Sequence, residues 1–410
     1  KGAKKQHRIL PAIFVPRAMD CYNGAGRKDD LSGIDLNGII GSAKKHSLQN
    51  LRSTKSRTWN HYVSGILCLF FIVPSALAIE FNLTRYHDYP DFELFIREAA
   101  RQYPSLTQLK TIGTSREGRK LLGLKIGSPP FEANKPAVWI DGGNHAREWP
   151  AFHLSVYFIQ KLLDGYGTDQ VITNYVNRLN FFIFPVLNPD GFIFSRTSTK
   201  DIILGPPMAQ KPSSNELQRL DQLQKDSDVM RRRGFKSVNW DIAFSQDNYP
   251  FNNPCSDEFQ GPMPFSEPES RAVRDFVLTP EIDGNVHAMI SMHTHGQLFI
   301  LPFNYKRRTY PADYADLERL AFRAVDAIKS VNGVEYRVGT AADMLGPATG
   351  GQIDWIKKNT NIKYVYVMEL PPELTTWFAF QMRPHWLIPT AQETWKGIKV
   401  IIEQVLREFA

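Results

Sequence analysis

The 410 residues are too many for one small domain, and their formal net charge of +7 would by itself invite a nucleic-acid reading. Residues 1–60 alone hold twelve Lys/Arg against four Asp, a net +8, which leaves 37 basic against 38 acidic side chains, a net −1, for residues 61–410. The basicity therefore belongs to a leader and not to a folded face, and a nucleic-acid partner is excluded on that ground.

Residues 1–60 show no hydrophobic periodicity and read as a basic extension, disordered or the product of faulty exon joining. Residues 61–78 read as a secretory signal peptide. The apolar run is shorter than the roughly 20 residues that span a bilayer. Arg52, Lys55 and Arg57 precede it, and Ala76-Leu77-Ala78 forms an A-x-A cleavage site. A buried helix is the competing reading. Cleavage after Ala78 leaves a secreted chain with no membrane anchor, and Asn82-Leu83-Thr84 just beyond it is an acceptor triplet for N-glycosylation. Residues 79–410 suffice for one large domain with a substantial core. Of three cysteines, only Cys255 falls in that part, an odd count for a secreted protein.

In chain order, the pattern predicts an amphipathic helix over 91–101 and short strands at 110–114 and 120–126 about the turn Ser115-Arg116-Glu117-Gly118. A buried strand at 137–140 stops at Gly142-Gly143 and leads into an apolar-periodic helix over 149–163. A helix at 169–176 and an apolar strand at 180–187 follow. Residues 195–228, polar and carrying GPP and KPSSN, read as an exposed insertion. Further on come a helix at 266–278, a strand at 286–292, helices at 314–331 and 352–358, a strand at 363–370 and a closing helix at 390–409. Strands alternating with helices predict an α/β fold with a mixed, mainly parallel central sheet flanked by helices. Ligands of such sheets bind outside the carboxyl ends of the strands.

His145 and Glu148 sit three apart on the turn after the first buried strand, where both can face one cation; zinc takes imidazole nitrogen and carboxylate oxygen at about 2.0–2.2 Å. A polar surface turn would hold the same residues. His293 ends another apolar strand and is the candidate third ligand, with His287 and His295 as rivals. Glu369, a lone acid ending the 363–370 strand, is either a solvated strand end or, beside a metal, a general base.

NHAREW at 144–149, NPDGF at 188–192, NWD at 239–241, PCS at 254–256, SMHTH at 291–295, GGQIDW at 350–355, MEL at 368–370 and IPTAQETW at 388–395 occur in that order. Over residues 85–408 the chain resembles the zinc carboxypeptidases of the pancreatic A/B type. The resemblance implies one zinc ion held by His145, Glu148 and His293, with Glu369 as general base; two His and one Glu are the family's own ligand set, and the assignment is what the resemblance carries over. It implies that Arg147 contacts the substrate, that Arg231 in Met230-Arg231-Arg232-Arg233 supports the developing oxyanion, and that Ile353 lines the side-chain pocket and selects apolar C-terminal residues. An arginine run on a solvated loop and a core isoleucine are the competing readings of the last two. Peptides or proteins are the expected substrates, and the expected state is a monomer.

Three features depart from the family pattern. Gly234-Phe235-Lys236-Ser237-Val238 leads straight to Asn239, without the family's segment holding an Asn-Arg pair that grips the substrate carboxylate and a cysteine that bonds the one matching Cys255. Gly346 stands where the family has a mobile capping tyrosine. No inhibitory pro-domain separates Ala78 from the catalytic domain, so the enzyme is made without a zymogen stage or an exon has been skipped. Losing one partner of a desolvated charge pair costs about 2–5 kcal/mol, roughly 30- to several-thousand-fold in kcat/KM unless Lys236 or Arg232 substitutes. The expectation is a zinc-loaded carboxypeptidase of weakened activity. The alternatives are a catalytically impaired relative that keeps zinc and binds peptides, and a zinc amidohydrolase of the same fold, against which the motifs through Trp395 argue.

Overall fold

The computed structural model of the protein describes residues 81–132, 134–197, 240–241, 260–376 and 380–410. The basic extension, the signal segment, residues 198–228 of the expected insertion, Arg231, the 234–239 junction and Cys255 lie outside the described residues.

Eight strands form one mixed sheet in the order β1-β2-β4-β3-β5-β8-β6-β7. They are β1 (Thr107–Thr114), β2 (Lys120–Ile126), β3 (Ala137–Asp141), β4 (Asn180–Phe184), β5 (Val286–Gly296), β6 (Leu298–Leu301), β7 (Arg337–Thr340) and β8 (Tyr364–Glu373). Four of the seven pairings are parallel, β3 with β4, β3 with β5, β5 with β8 and β6 with β7. The other three, β1 with β2, β2 with β4 and β6 with β8, are antiparallel.

The central strands read as unbroken apolar runs because both faces are buried. Val138 and Ile140 of β3, Phe181 and Ile183 of β4, and Tyr364, Tyr366 and Met368 of β8 enter one core. It is covered by α1 (Tyr89–Gln102), α2 (Trp149–Gly165), α3 (Gln170–Arg178), α6 (Tyr314–Asn332) and α9 (Leu387–Phe409). Their odd- or even-numbered neighbours Ala137, Trp139, Phe182, Phe184, Met289 and Val365 enter a second core with Trp240, α5 (Pro268–Val277) and α8 (Gln352–Asn359). Period-two alternation thus sorts each strand between two clusters.

Several elements differ from the sequence expectation. The strand expected over 180–187 ends at Phe184, since Pro185 has no N–H to give a ladder. The chain instead loops back, with Leu187 and Asn188 donating their N–H groups to the Gly142 and Gly143 carbonyls. Ser195, where an exposed insertion was expected to open, is still inside a helix, α4 (Pro189–Thr197), and is 1% exposed. Its hydroxyl accepts from Trp149 Nε1 at 3.0 Å. Strands β6 and β7 and the single-turn helix α7 (Ala341–Met344) were not foreseen, because a four-residue run carries no readable period. Among the described residues no helix is long and apolar enough to cross a membrane.

Candidate metal centre

Strand parity and register assemble the site. Asp141 shares the pleat side of Trp139, Ser291 and His293 that of Met289, and Glu369 that of Val365, so all four lie on the face of the second core. In the parallel ladder of β5 and β8, His293 and Glu369 are direct register partners. His145 and Glu148 come from the turn between β3 and α2, at the carboxyl end of β3.

Two features hold that turn. Gly143 has φ +71, and a Cβ there would lie 2.4 Å from the Phe152 ring, so both backbone and space require glycine. Asn188 Nδ2 donates to the Asn144 carbonyl at 3.2 Å and ties the turn to the following loop. Glu148 stands at the N-cap of α2 without making a side-chain cap bond, which leaves its carboxylate to the histidines.

That carboxylate bridges both rings. Its Oε1 is 2.5 Å from His145 Nδ1 and its Oε2 is 2.9 Å from His293 Nδ1, while the two Nδ1 atoms are 3.2 Å apart. One donor atom from each of the three residues lies within 4.8 Å of the others, so the group could hold a metal ion. The fit can be tested: two nitrogens each about 2.05 Å from a tetrahedral zinc stand about 3.3 Å apart, close to the observed 3.2 Å. Borderline imidazole nitrogen with one carboxylate also suits zinc, and the rings already share their Nδ1 sides. His287 is stacked on Phe409 at 3.8 Å, and His295 meets Phe380 edge-on at 4.8 Å; neither belongs to the three-residue group.

Charge balance follows from this packing. Burial alone would raise the Glu148 carboxyl, but the two adjoining imidazoles outweigh it and pull its pKa down. Burial would likewise lower His293, but Glu148 outweighs that and raises it. The two shifts favour a carboxylate beside an imidazolium, and a divalent cation would take the place of the Nδ1 proton. The Glu369 carboxyl is pushed up to about 8 by burial and then by the Glu148 charge, with His293 opposing.

Sequence reasoning missed a layer behind His293. Its Nε2 is 3.1 Å from Ser291 Oγ, and the Ser291 hydroxyl donates to Asp141 Oδ1 at 2.7 Å. With Nδ1 facing Glu148, Nε2 carries the proton and donates to the hydroxyl. Asp141 is fully buried and also accepts from Asn144 Nδ2 at 2.9 Å and Trp139 Nε1 at 2.7 Å. Gln352 Nε2 approaches its other oxygen at 3.4 Å. The available signal was an acid and a serine at strand positions whose alternation points inward.

The other expected site residues lie as follows. The Arg147 guanidinium carbon stacks 4.1 Å over the Phe380 ring, the ring that His295 also meets. Ile353 is 3% exposed within the second apolar core, beside Gln352 on α8. Gly346 is half-buried, with φ +144 and nothing within 4 Å of a would-be Cβ. The NPDGF motif serves structure here: Asp190 accepts from Ser115 Oγ at 2.7 Å, Arg119 Nη1 at 2.6 Å and the Glu117 N–H at 2.9 Å, closing the β1–β2 turn against α4.

Comparison with known proteins agrees with this geometry. Residues 92–397 match the zinc carboxypeptidase family, peptidase M14. The chain is 34% identical to carboxypeptidase A2 of Mus musculus over 331 residues, 79% of this chain and 71% of that one. It is 34% identical to carboxypeptidase B of Astacus astacus over 319 residues, 78% of this chain and 96% of that one. Among solved structures, bovine thrombin-activatable fibrinolysis inhibitor in complex with tick carboxypeptidase inhibitor superposes with TM-score 0.64 at 26% identity, covering 79% of this chain and 99% of that one. Carboxypeptidase A of Helicoverpa armigera gives the same TM-score and identity, covering 80% and 75%.

Proposed function

The chain belongs to the zinc carboxypeptidase family, and on that premise we propose a secreted, zinc-dependent metallocarboxypeptidase that hydrolyses the C-terminal peptide bond of peptides and proteins. The observation that carries this reading is the convergence of His145 and Glu148, from the turn after β3, on His293, the register partner of Glu369. In it, His145, His293 and Glu148 would hold the zinc. The metal supplies Lewis acidity, polarising the scissile carbonyl and acidifying water.

The remaining steps belong to the chain. Glu369 takes the proton of the attacking water on its carboxylate and delivers it to the departing amine nitrogen. For this it must start ionised; burial and Glu148 push its carboxyl up to about 8, and a bound divalent cation would favour the ionised form. Arg147, whose guanidinium lies over the Phe380 ring, is assigned to present N–H donors to substrate carbonyl oxygens, and Arg231 is assigned to the developing oxyanion. A preference for apolar C-terminal side chains is assigned to Ile353 from the family resemblance alone, its burial in the second core being equally that of a core isoleucine.

Turnover is proposed to be weak. The stretch 234–238 that leads to Asn239 holds no Asn-Arg pair, and at Gly346 the backbone adopts φ +144, which a tyrosine would adopt only under strain. These two features favour the second reading as well, a relative that keeps zinc and binds peptides without efficient turnover. The test is metal analysis of the purified protein together with hydrolysis of a blocked peptide ending in Phe or Leu. One zinc per chain with slow release of the terminal residue is expected. Absence of zinc refutes the metal assignment, and turnover equal to that of carboxypeptidase A2 refutes the impairment.

A further inference from the structure

Asn82-Leu83-Thr84 is the single Asn-X-Ser/Thr triplet in the chain. Its surroundings separate it from a chance triplet buried by folding. Phe81 and Leu83, each 5% exposed, are packed into the first core, while Asn82 and Thr84 between and beyond them are exposed. The Phe81 ring lies 3.9 Å from His87, 4.9 Å from Phe92 and 5.4 Å from Phe95. His87 Nε2 lies 2.7 Å from the Asn82 carbonyl oxygen, and its Nδ1 is 2.7 Å from Asp91 Oδ2, so the backbone of the triplet is tied to α1. The Thr84 N–H and hydroxyl both donate to Asn82 Oδ1, at 2.9 and 2.6 Å. This Asx turn uses the amide oxygen and leaves Nδ2 as the outward end of the side chain.

We propose that Asn82 carries an N-linked oligosaccharide, a modification that rests on the secretory reading above. The donor is a lipid-diphosphate-linked oligosaccharide. A bond forms between Asn82 Nδ2 and the sugar C1, the bond from C1 to the diphosphate oxygen breaks, one Nδ2 proton leaves, and the lipid diphosphate departs with no redox change. A bulky hydrophilic group belongs on a surface with free space, and here the anchoring residues point inward while the acceptor points out. The glycan is therefore borne without disturbing Phe81 or Leu83.

The experiment is translation of the full chain with endoplasmic-reticulum microsomes, followed by protease protection and treatment with a peptide N-glycosidase, which hydrolyses the glycosylated side-chain amide. The expected result is a protected chain one glycan heavier that returns to the unmodified mobility on deglycosylation, with conversion of Asn82 to aspartate seen by mass spectrometry. Asn82→Gln and Thr84→Ala lose the shift, and Thr84→Ser keeps it. A protected chain without a shift, or a shift that persists in Asn82→Gln, overturns the glycan while leaving secretion intact. If no chain is protected, the secretory reading fails and the modification falls with it.

Discussion

Replacing Ser291 with alanine removes a hydroxyl that holds three contacts: it accepts from His293 Nε2 at 3.1 Å and Asn144 Nδ2 at 2.9 Å, and donates to Asp141 Oδ1 at 2.7 Å. Ser291 is fully buried, so no solvent replaces it. The His293 N–H is left without its acceptor, and leaving a buried donor unsatisfied costs about 1–3 kcal/mol. Because this contact sets which nitrogen of His293 faces Glu148, the loss falls on metal affinity. A weakening of about 10–100-fold is expected, the usual range for a contact behind a ligand. The assay is competition for zinc against a chromophoric chelator at constant pH, with thermal denaturation of the metal-free protein as a control for folding. Ser291→Thr retains the hydroxyl and should recover most of the affinity. Zinc affinity within twofold of the parent in Ser291→Ala, with the metal-free protein equally stable, would refute the reasoning.

Glu369→Gln keeps the shape and removes the proton acceptor: kcat is expected to fall about 10²–10⁴-fold, with zinc content unchanged by metal analysis. Dialysis against a chelator should abolish hydrolysis yet leave the far-ultraviolet circular dichroism intact, because two apolar cores hold the sheet independently of the site. Phe192 is fully buried and stacked on Phe152 at 4.3 Å; Phe192→Ala should cost about 3–5 kcal/mol by denaturant titration. His153 is held neutral, donating from Nδ1 to the Trp149 carbonyl at 2.7 Å and accepting the His87 N–H on Nε2 at 2.9 Å. Burial lowers its pKa to about 3. The folded value is depressed, so this stability is present above the unfolded value near 6.5 and is lost as pH falls from there toward 3, up to about 4 kcal/mol. His153→Gln should flatten the stability profile between pH 6 and 4; an unchanged slope would show that other groups carry it.

The sequence alone determined a good deal. Continuous apolar runs flanked by glycines located the central strands, and helical periodicity located the long helices, because burial imposes these patterns locally. His145, Glu148, His293 and Glu369 were nameable as candidates because each is a polar residue beside an apolar run, and the family resemblance chose among them; in the structure His293 and Glu369 lie within β5 and β8, which run on to Gly296 and Glu373. Tertiary structure alone decided the rest. That β5 and β8 are neighbours, with His293 opposite Glu369, follows from strand order, and strand order joins residues 76 positions apart for which no local pattern exists. The same holds for Asp141 behind Ser291, 150 positions away. A serine and an aspartate within apolar strands look like isolated exceptions until packing brings them to one imidazole. What a side chain does in this site depends on partners distant along the chain, and only the folded sheet brings those partners within hydrogen-bonding distance.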